Sequence, residues 1–440
     1  MTTPDMPLPD GALPAPRRLD VPTLEHLLRT YHAAEGFCRR ILALEIAGVL
    51  AFIAWLVLHG PASIPWPAWV AAGIGGLGVF RFIPRSYFLN KKRLSEIRPD
   101  AQLGVHTRDS LLKLSDRVFT RLGLPPSAAP VFLIREKDVN AHAIRCELWP
   151  GVRAFNGVFL NRGLLHLLDE DELACVVGHE LGHVFPYAPL LSRTYLVHAL
   201  FAAAISVTVT TFFPNSGVAV MVPLATLWLI DRMVALPHLR HSRGIEFLCD
   251  DYGVRAGGLL PALSGEMKLG AENETRQGLL LRALEARSQG VQVALKELFE
   301  AYETAVPFGR ADPSAFEREF GRVLDRKRSA SGSISFGGFL ESLSGGESED
   351  AVASVAETMA HLRAIQSLPT LQIDRQAYLH GASAWTHLQA GELIRAIRFD
   401  PHRVLFRLAE EWDDRGSTHP SPSRRMLFLH DQHTEDRCLP

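Results

Sequence analysis

Cysteine is scarce in this 440-residue chain: five residues, Cys38, Cys146, Cys175, Cys249 and Cys438, with no C-x-x-C pair. An odd, widely spaced set argues against a disulfide framework and for a reducing compartment around the soluble part. Charge bias is missing too. Lys and Arg number 46 against 48 Asp and Glu, a formal net charge of −2, so nothing in the balance suggests nucleic acid as a partner. The first twenty residues are rich in Pro and Asp and hold no apolar run. That leaves no cleavable signal peptide, and Met1 to Pro22 reads as a disordered tail.

What the chain does have is long apolar stretches. Ile41 to Leu58 is apolar except for Glu45, Trp66 to Phe80 is uncharged, and Tyr195 to Phe213 has His198 as its one titratable group. Gly217 to Ile230 follows and runs on through Asp231-Arg232 to Leu236, and reads as a fourth span or as a buried amphipathic helix. Each approaches or reaches the ~20 residues that a bilayer requires, so four spans in two hairpins are expected, with the lipid bilayer as a partner. Arg39-Arg40 precede the first span, and Arg81, Arg85 and Lys91 to Arg93 follow the second, whereas the turns at Gly60 to Pro65 and Pro214 to Ser216 are uncharged. The positive-inside rule then puts both termini in the cytoplasm.

Residues 179–183 read H-E-L-G-H, inside an apolar helix-forming run from Leu173 to Val184. Positions i and i+4 share a helix face, so both imidazoles can meet one ion with Glu180 beside them. That gives two nitrogen donors and a general base. Asp169 is an N-cap candidate followed by acidic first-turn residues, and Pro186 and Pro189 stop the helix. Upstream, Val152 to Leu160 has strand composition, and it is either a free edge that takes an extended peptide by main-chain hydrogen bonds or a plain core strand. Glu246 and Asp250 are again i and i+4; one carboxylate can bind a metal while the other holds a ligand imidazole. Cys249 points elsewhere and reads as a small buried residue.

Here the chain resembles the HtpX-like membrane zinc peptidases, a family that also contains the CAAX prenyl endopeptidases. The pattern H-E-x-x-H followed by S-R-x-x-E-x-x-x-D is met by Ser242, Arg243, Glu246 and Asp250. Asn140-Ala141, Gly163 to Leu165, Asp171 to Leu173 and the segment Thr418-His419-Pro420 with Arg425 add to it. The chain departs in having Cys249 where the family often has Ala, and Phe185-Pro186-Tyr187 where a polar continuation is usual. The resemblance implies one zinc per chain bound by His179, His183 and Glu246, with Glu180 activating water and Asp250 as the carboxylate behind a ligand. His419 would lie near the zinc, as a transition-state stabiliser or a regulatory fourth ligand.

The expected fold is mainly α with a small antiparallel β-sheet: a zincin-like core, about four transmembrane helices and an extended helical C-terminal region. After the 1–22 tail come a membrane hairpin over 23–95, the peptidase core over 96–190 and a second hairpin over 191–237. Residues 238–328 hold the third-ligand helix and further helix, 329–350 is a Gly/Ser linker, and 351–440 is a helical region closing on the active site. Gly278 to Tyr302 has its own helical spacing. The expected function is a membrane-embedded zinc endopeptidase of the cell (inner) membrane, multi-pass, with its active site facing the cytoplasm. Its substrates would be membrane or misfolded proteins, as in protein quality control, and its C-terminal helices could take a protein partner. The alternative is a non-catalytic or latent zinc-bound scaffold acting through those helices; an intact Glu180 favours the enzyme.

Overall fold

The computed structural model describes residues 19–64, 66–79, 91–134, 139–149, 152–188, 194–212, 242–288, 349–380, 385–412 and 419–435, with isolated positions at 221, 225, 228–229, 318, 320–323 and 325. The chain divides into two compact units: residues 22–262 with 431–440, and residues 263–430 with 1–21.

The first unit opens with α1 (Leu24–His59), a 36-residue helix. Thr23 caps its start by accepting from the His26 N–H, and Gly60 ends it at φ 75°. At 1.5 Å per residue α1 is about 54 Å long, more than the ~30 Å hydrocarbon core of a bilayer. Among the described residues it is the one helix long and apolar enough to cross a membrane, and only 6% of its apolar stretch is buried. Helix α2 (Trp66–Val79) has 14 residues and rises about 21 Å, short of that core. Its Ala68 packs with Ile64 and with Val207 of α6 (Tyr195–Phe212), an 18-residue apolar helix. Of the four expected spans, the described residues show one helix long enough, α1, and two shorter apolar helices, α2 and α6. The Gly217 to Ile230 segment lies outside the described residues apart from isolated positions.

The rest of this unit is a sheet covered by helices. Strands β1 (Lys91–Arg93), β4 (Val131–Ile134), β5 (Ala141–Trp149) and β6 (Val152–Asn161) form a four-stranded sheet in the order β1-β4-β6-β5. A two-stranded ribbon, β2 (Gln102–Leu103) with β3 (His106–Thr107), leads into α3 (Arg108–Arg121). The expected antiparallel sheet is in fact mixed, because β4 and β6 run parallel. The β5–β6 hairpin places β5 outside β6, so the chain from β4 to β5 crosses over β6 and leaves β4 and β6 pointing the same way. The free-edge reading of Val152 to Leu160 changes with it. β6 is interior, and the edge strand at this side of the sheet is β5.

After β6 come the short α4 (Leu164–Leu167), the motif helix α5 (Glu170–Val184) and, beyond α6, helix α7 over 242–257. The core under them is filled by Phe119, Phe159, Leu165, Leu173 and Leu181, each at most 1% exposed.

The second unit contains most of α8 (Leu259–Ser288), then α9 (Glu349–Gln366), α10 (Arg375–His380), α11 (His387–Phe399), α12 (Ala409–Trp412) and most of α13 (Pro422–Glu435). Glu274 of α8 organises it by accepting from the Arg375 guanidinium at 2.8 Å and from the Arg407 backbone N–H at 2.7 Å. The Gly/Ser stretch at 329–348 and the 289–302 end of the expected Gly278 to Tyr302 helix lie outside the described residues.

Candidate metal centre

Helix α5 is fixed at both ends. The Asp169 carboxylate accepts from the Asp171 and Glu172 N–H groups, and the Glu172 carboxylate accepts from the Asp169 N–H at 2.9 Å, closing a capping box. At the other end Phe185 caps to Leu181 O, and Arg145 of β5 donates to the Val184 carbonyl at 2.6 Å. A cation there meets the negative end of the helix dipole. Arg145 is itself held by Glu147, to whose Oε1 its Nε donates at 2.8 Å; that carboxylate is 1% exposed.

Glycines bring the two motif helices together. Gly178 and Gly182 of α5, and Gly253 and Gly257 of α7, are each spaced i, i+4. A Cβ on Gly178 would stand 2.5 Å from the Ala256 Cβ, and one on Gly253 would stand 2.7 Å from the Cys175 carbonyl oxygen. Only hydrogen fits in these places, so the backbones meet. Cys249 is fully buried and faces Gly182, whose Cβ would lie 3.0 Å from its Sγ. That is the expected role of a small buried residue rather than a ligand.

The close approach sets Glu246 of α7 opposite His179 and His183 of α5. Their donor atoms all lie within 4.8 Å of one another. His179 Nε2 is 3.2 Å from His183 Nε2, and the Glu246 carboxylate oxygens are 3.5 Å from each of those nitrogens. Donors about 2.0–2.1 Å from a tetrahedral zinc stand about 3.3 Å apart; the two imidazole nitrogens are at that spacing, and Glu246 reaches His179 with Oε2 and His183 with Oε1. Two imidazoles and a carboxylate are also a donor set suited to zinc.

Asp250, one turn beyond Glu246, lies behind the cluster. Its Oδ1 accepts from His179 Nδ1 at 2.8 Å, which leaves Nε2 as the donor atom facing Glu246. Burial alone would lower the His179 imidazole; hydrogen bonds to Asp250 and Glu246, with the charges of both carboxylates, outweigh it and raise the group to about 10. Glu180 is buried at 8% exposure on the same helix as the two histidines. His419 belongs to the second unit, where it is exposed just before the buried Pro420. Sequence reasoning missed two further groups. Asp251, at 1% exposure, accepts from Arg255 at 2.6 Å and makes an ion-pair contact with His433 at 3.1 Å. The glycine seam had a visible signal, two G-x-x-x-G repeats.

A helix carrying H-E-x-x-H, met by a carboxylate from a second helix over a small sheet, is the arrangement of a zincin-type peptidase. Residues 106–300 match the model of peptidase family M48, so the chain carries an M48 peptidase domain. It is 26% identical over 177 residues to a protease HtpX homolog of Sulfurovum sp. (strain NBC37-1), covering 39% of this chain and 60% of that protein. It is 29% identical over 166 residues to a CAAX prenyl protease 1 homolog of Dictyostelium discoideum, covering 33% of this chain and 37% of that one. The chain therefore spans less than two thirds of the length of either relative. No solved structure matches it.

Proposed function

We propose that the chain is a membrane-embedded zinc endopeptidase that cleaves membrane or misfolded proteins on the cytoplasmic side of the cell membrane. The observation that carries this reading is the cluster of His179, His183 and Glu246, whose donor atoms all lie within 4.8 Å of one another. In the proposal these three hold one zinc per chain and Asp250 orients His179. Bound zinc would supply Lewis acidity to the scissile carbonyl and bring the pKa of a water near neutrality. Glu180 takes that water's proton and passes it to the leaving amine. β5 lies at the sheet edge beside α5, so an extended peptide can add to it as a further strand. His419 stabilises the oxyanion, a role drawn from the T-H-P segment.

The membrane part of the proposal has four spans with both termini cytoplasmic. α1 supports one span directly. The basic residues Lys91 to Arg93 form β1 and pair with β4, so the positive flank after α2 belongs to the peptidase sheet itself. Positive flanks favour the cytoplasmic side. Reporter fusions at Pro65 and Asn215 should read outside and fusions at Asp100 and Asp350 inside; a cytoplasmic signal at Asn215 removes the second hairpin from the membrane.

The deciding experiment compares wild type with Glu180→Gln for metal content and for zinc-dependent cleavage of a casein-type substrate. Gln is nearly isosteric and cannot take the water's proton, so cleavage should vanish while one zinc per chain is retained. Equal turnover in the two proteins, or none in a zinc-loaded wild type, leaves a zinc-bound scaffold as the function.

A further inference from the structure

Two ionisable side chains lie far from the metal donors, inside the apolar helices. Glu45 of α1 and His198 of α6 have side chains 3% and 1% exposed, and Glu45 Oε2 stands 2.7 Å from His198 Nδ1, an ion-pair contact rather than an aligned hydrogen bond. The other ring nitrogen, Nε2, is 2.6 Å from the Thr194 hydroxyl. One turn further on, α1 passes very close to α6: a Cβ on Gly48 would lie 2.8 Å from the Phe201 ring. The Glu45 and His198 side chains are buried against each other between the two helices. A buried ion pair adds little stability over an apolar pair of similar size, and its best-attested use is to select one packing geometry.

That geometry reaches the metal helices. Tyr31 lies 14 positions before Glu45 on the same helix. Its hydroxyl donates to the Pro186 carbonyl at 2.9 Å, immediately after α5 ends. Its ring meets Tyr187 edge-on at 5.3 Å, and Tyr187 meets Tyr252 of α7 edge-on at 6.4 Å. Leu27 packs against Gly244 at the start of α7. α1 thus touches α7 and the chain just past the end of α5, and the Glu45 contact joins α1 to α6, the helix that follows α5 in the chain.

We propose that Glu45, His198 and Thr194 form a latch between α1 and α6 that positions α1, and through Tyr31 the exit of α5, so that the metal donors are held in register. This rests on the reading that His179, His183 and Glu246 bind zinc. These are positioning residues, not catalytic ones.

The test uses the full chain in lipid nanodiscs, loaded with zinc, and reads zinc release to an excess of chelator beside the thermal midpoint. The Glu45→Leu/His198→Leu double variant replaces the pair with apolar groups, which should leave the midpoint at or above wild type. Zinc release should be at least about fivefold faster, within what coupling through packed elements supplies. A merely structural pair would leave release unchanged at that midpoint, and a folded double variant with wild-type release overturns the latch. Should the double variant not fold, Thr194→Val, which removes only a hydroxyl, is read in its place; release at least about twofold faster is expected, and a wild-type rate overturns the inference. A wild type that holds no zinc sinks the zinc reading and the latch with it, whereas a zinc-holding wild type matched by its variants sinks the latch alone.

Discussion

His179 Nδ1 and Asp250 Oδ1 stand 2.8 Å apart, joining the motif helix to the helix that supplies the third donor. The contact fixes the ring orientation and tautomer of His179, and a negative partner makes Nε2 a better donor. Asp250→Ala should therefore lower zinc affinity by about 10–100-fold with every direct donor intact. Competition with a chelator of known affinity measures it. An unchanged affinity would mean that Asp250 serves packing alone.

Glu246 is the one carboxylate among the three donors. Glu246→Ala should leave two imidazoles, too few to hold zinc in a catalytic geometry, and elemental analysis should find well under one zinc per chain. Full occupancy in that variant would remove Glu246 from the ligand set.

Proton and metal compete for His179. With its metal-free value raised to about 10, above the ordinary 6.5, protonated His179 stabilises the metal-free fold fully below pH 6.5, and that contribution is lost as pH rises through about 10. Zinc needs the neutral imidazole. Apparent zinc affinity should therefore climb with pH from 6.5 towards 10, and about one proton should be released per zinc at pH 8. Titration calorimetry in buffers of different ionisation enthalpy counts the protons. A count of zero at pH 8 contradicts the pairing of His179 with Asp250 and Glu246.

Local patterns were legible in the sequence, and long-range placement was not. The cap at Asp169, the helix end ahead of Pro186 and the strand at Val152 to Leu160 follow from neighbours in the chain, and the structure has them within a few residues. The i, i+4 spacing of His179 with His183 and of Glu246 with Asp250 likewise gave each helix its functional face. Strand order depends on which strands meet across the fold, so the composition of β6 could not reveal that β5 takes the edge. Helix α8 runs from Leu259 to Ser288, within the helical region expected over 238–328, and the Phe406 ring lies 2.3 Å from where a Cβ on Gly270 would stand. Apolar composition gave four segments as spans, while among the described residues helix length singles out α1.

The glycine seam makes a prediction that owes nothing to the chemistry of the site. On Gly253 a methyl group would press the Cys175 carbonyl oxygen at 2.7 Å and the His179 backbone nitrogen at 3.4 Å, and neither can swing aside. Gly253→Ala should destabilise the domain by about 1–3 kcal/mol, as overpacking does, and weaken zinc binding by moving α7 off α5. Thermal unfolding with and without zinc measures both effects. A normal midpoint together with normal zinc content would show that the helices can slide apart without cost.

His419 offers a prediction whose sign carries the answer. The helix just after it is anchored: Arg425 pairs with Glu266 at 2.9 Å, and Glu411 accepts from the Ser423 N–H at 2.7 Å and from its hydroxyl at 2.5 Å. The sequence Thr418-His419-Pro420 reads as a rigid turn, which suits a group that must wait in one place for a developing charge and suits a swinging lock poorly. His419→Ala should then lower kcat on the order of 10²-fold with little change in KM, because an oxyanion donor acts in the transition state and not on the bound substrate. A lock predicts the opposite, a rise in basal proteolysis when the side chain is removed. Steady-state kinetics on a peptide substrate separates the two, with zinc content measured beside it to exclude loss of metal. Turnover within about twofold of wild type would leave His419 as a loop residue ahead of Pro420, with no part in the reaction.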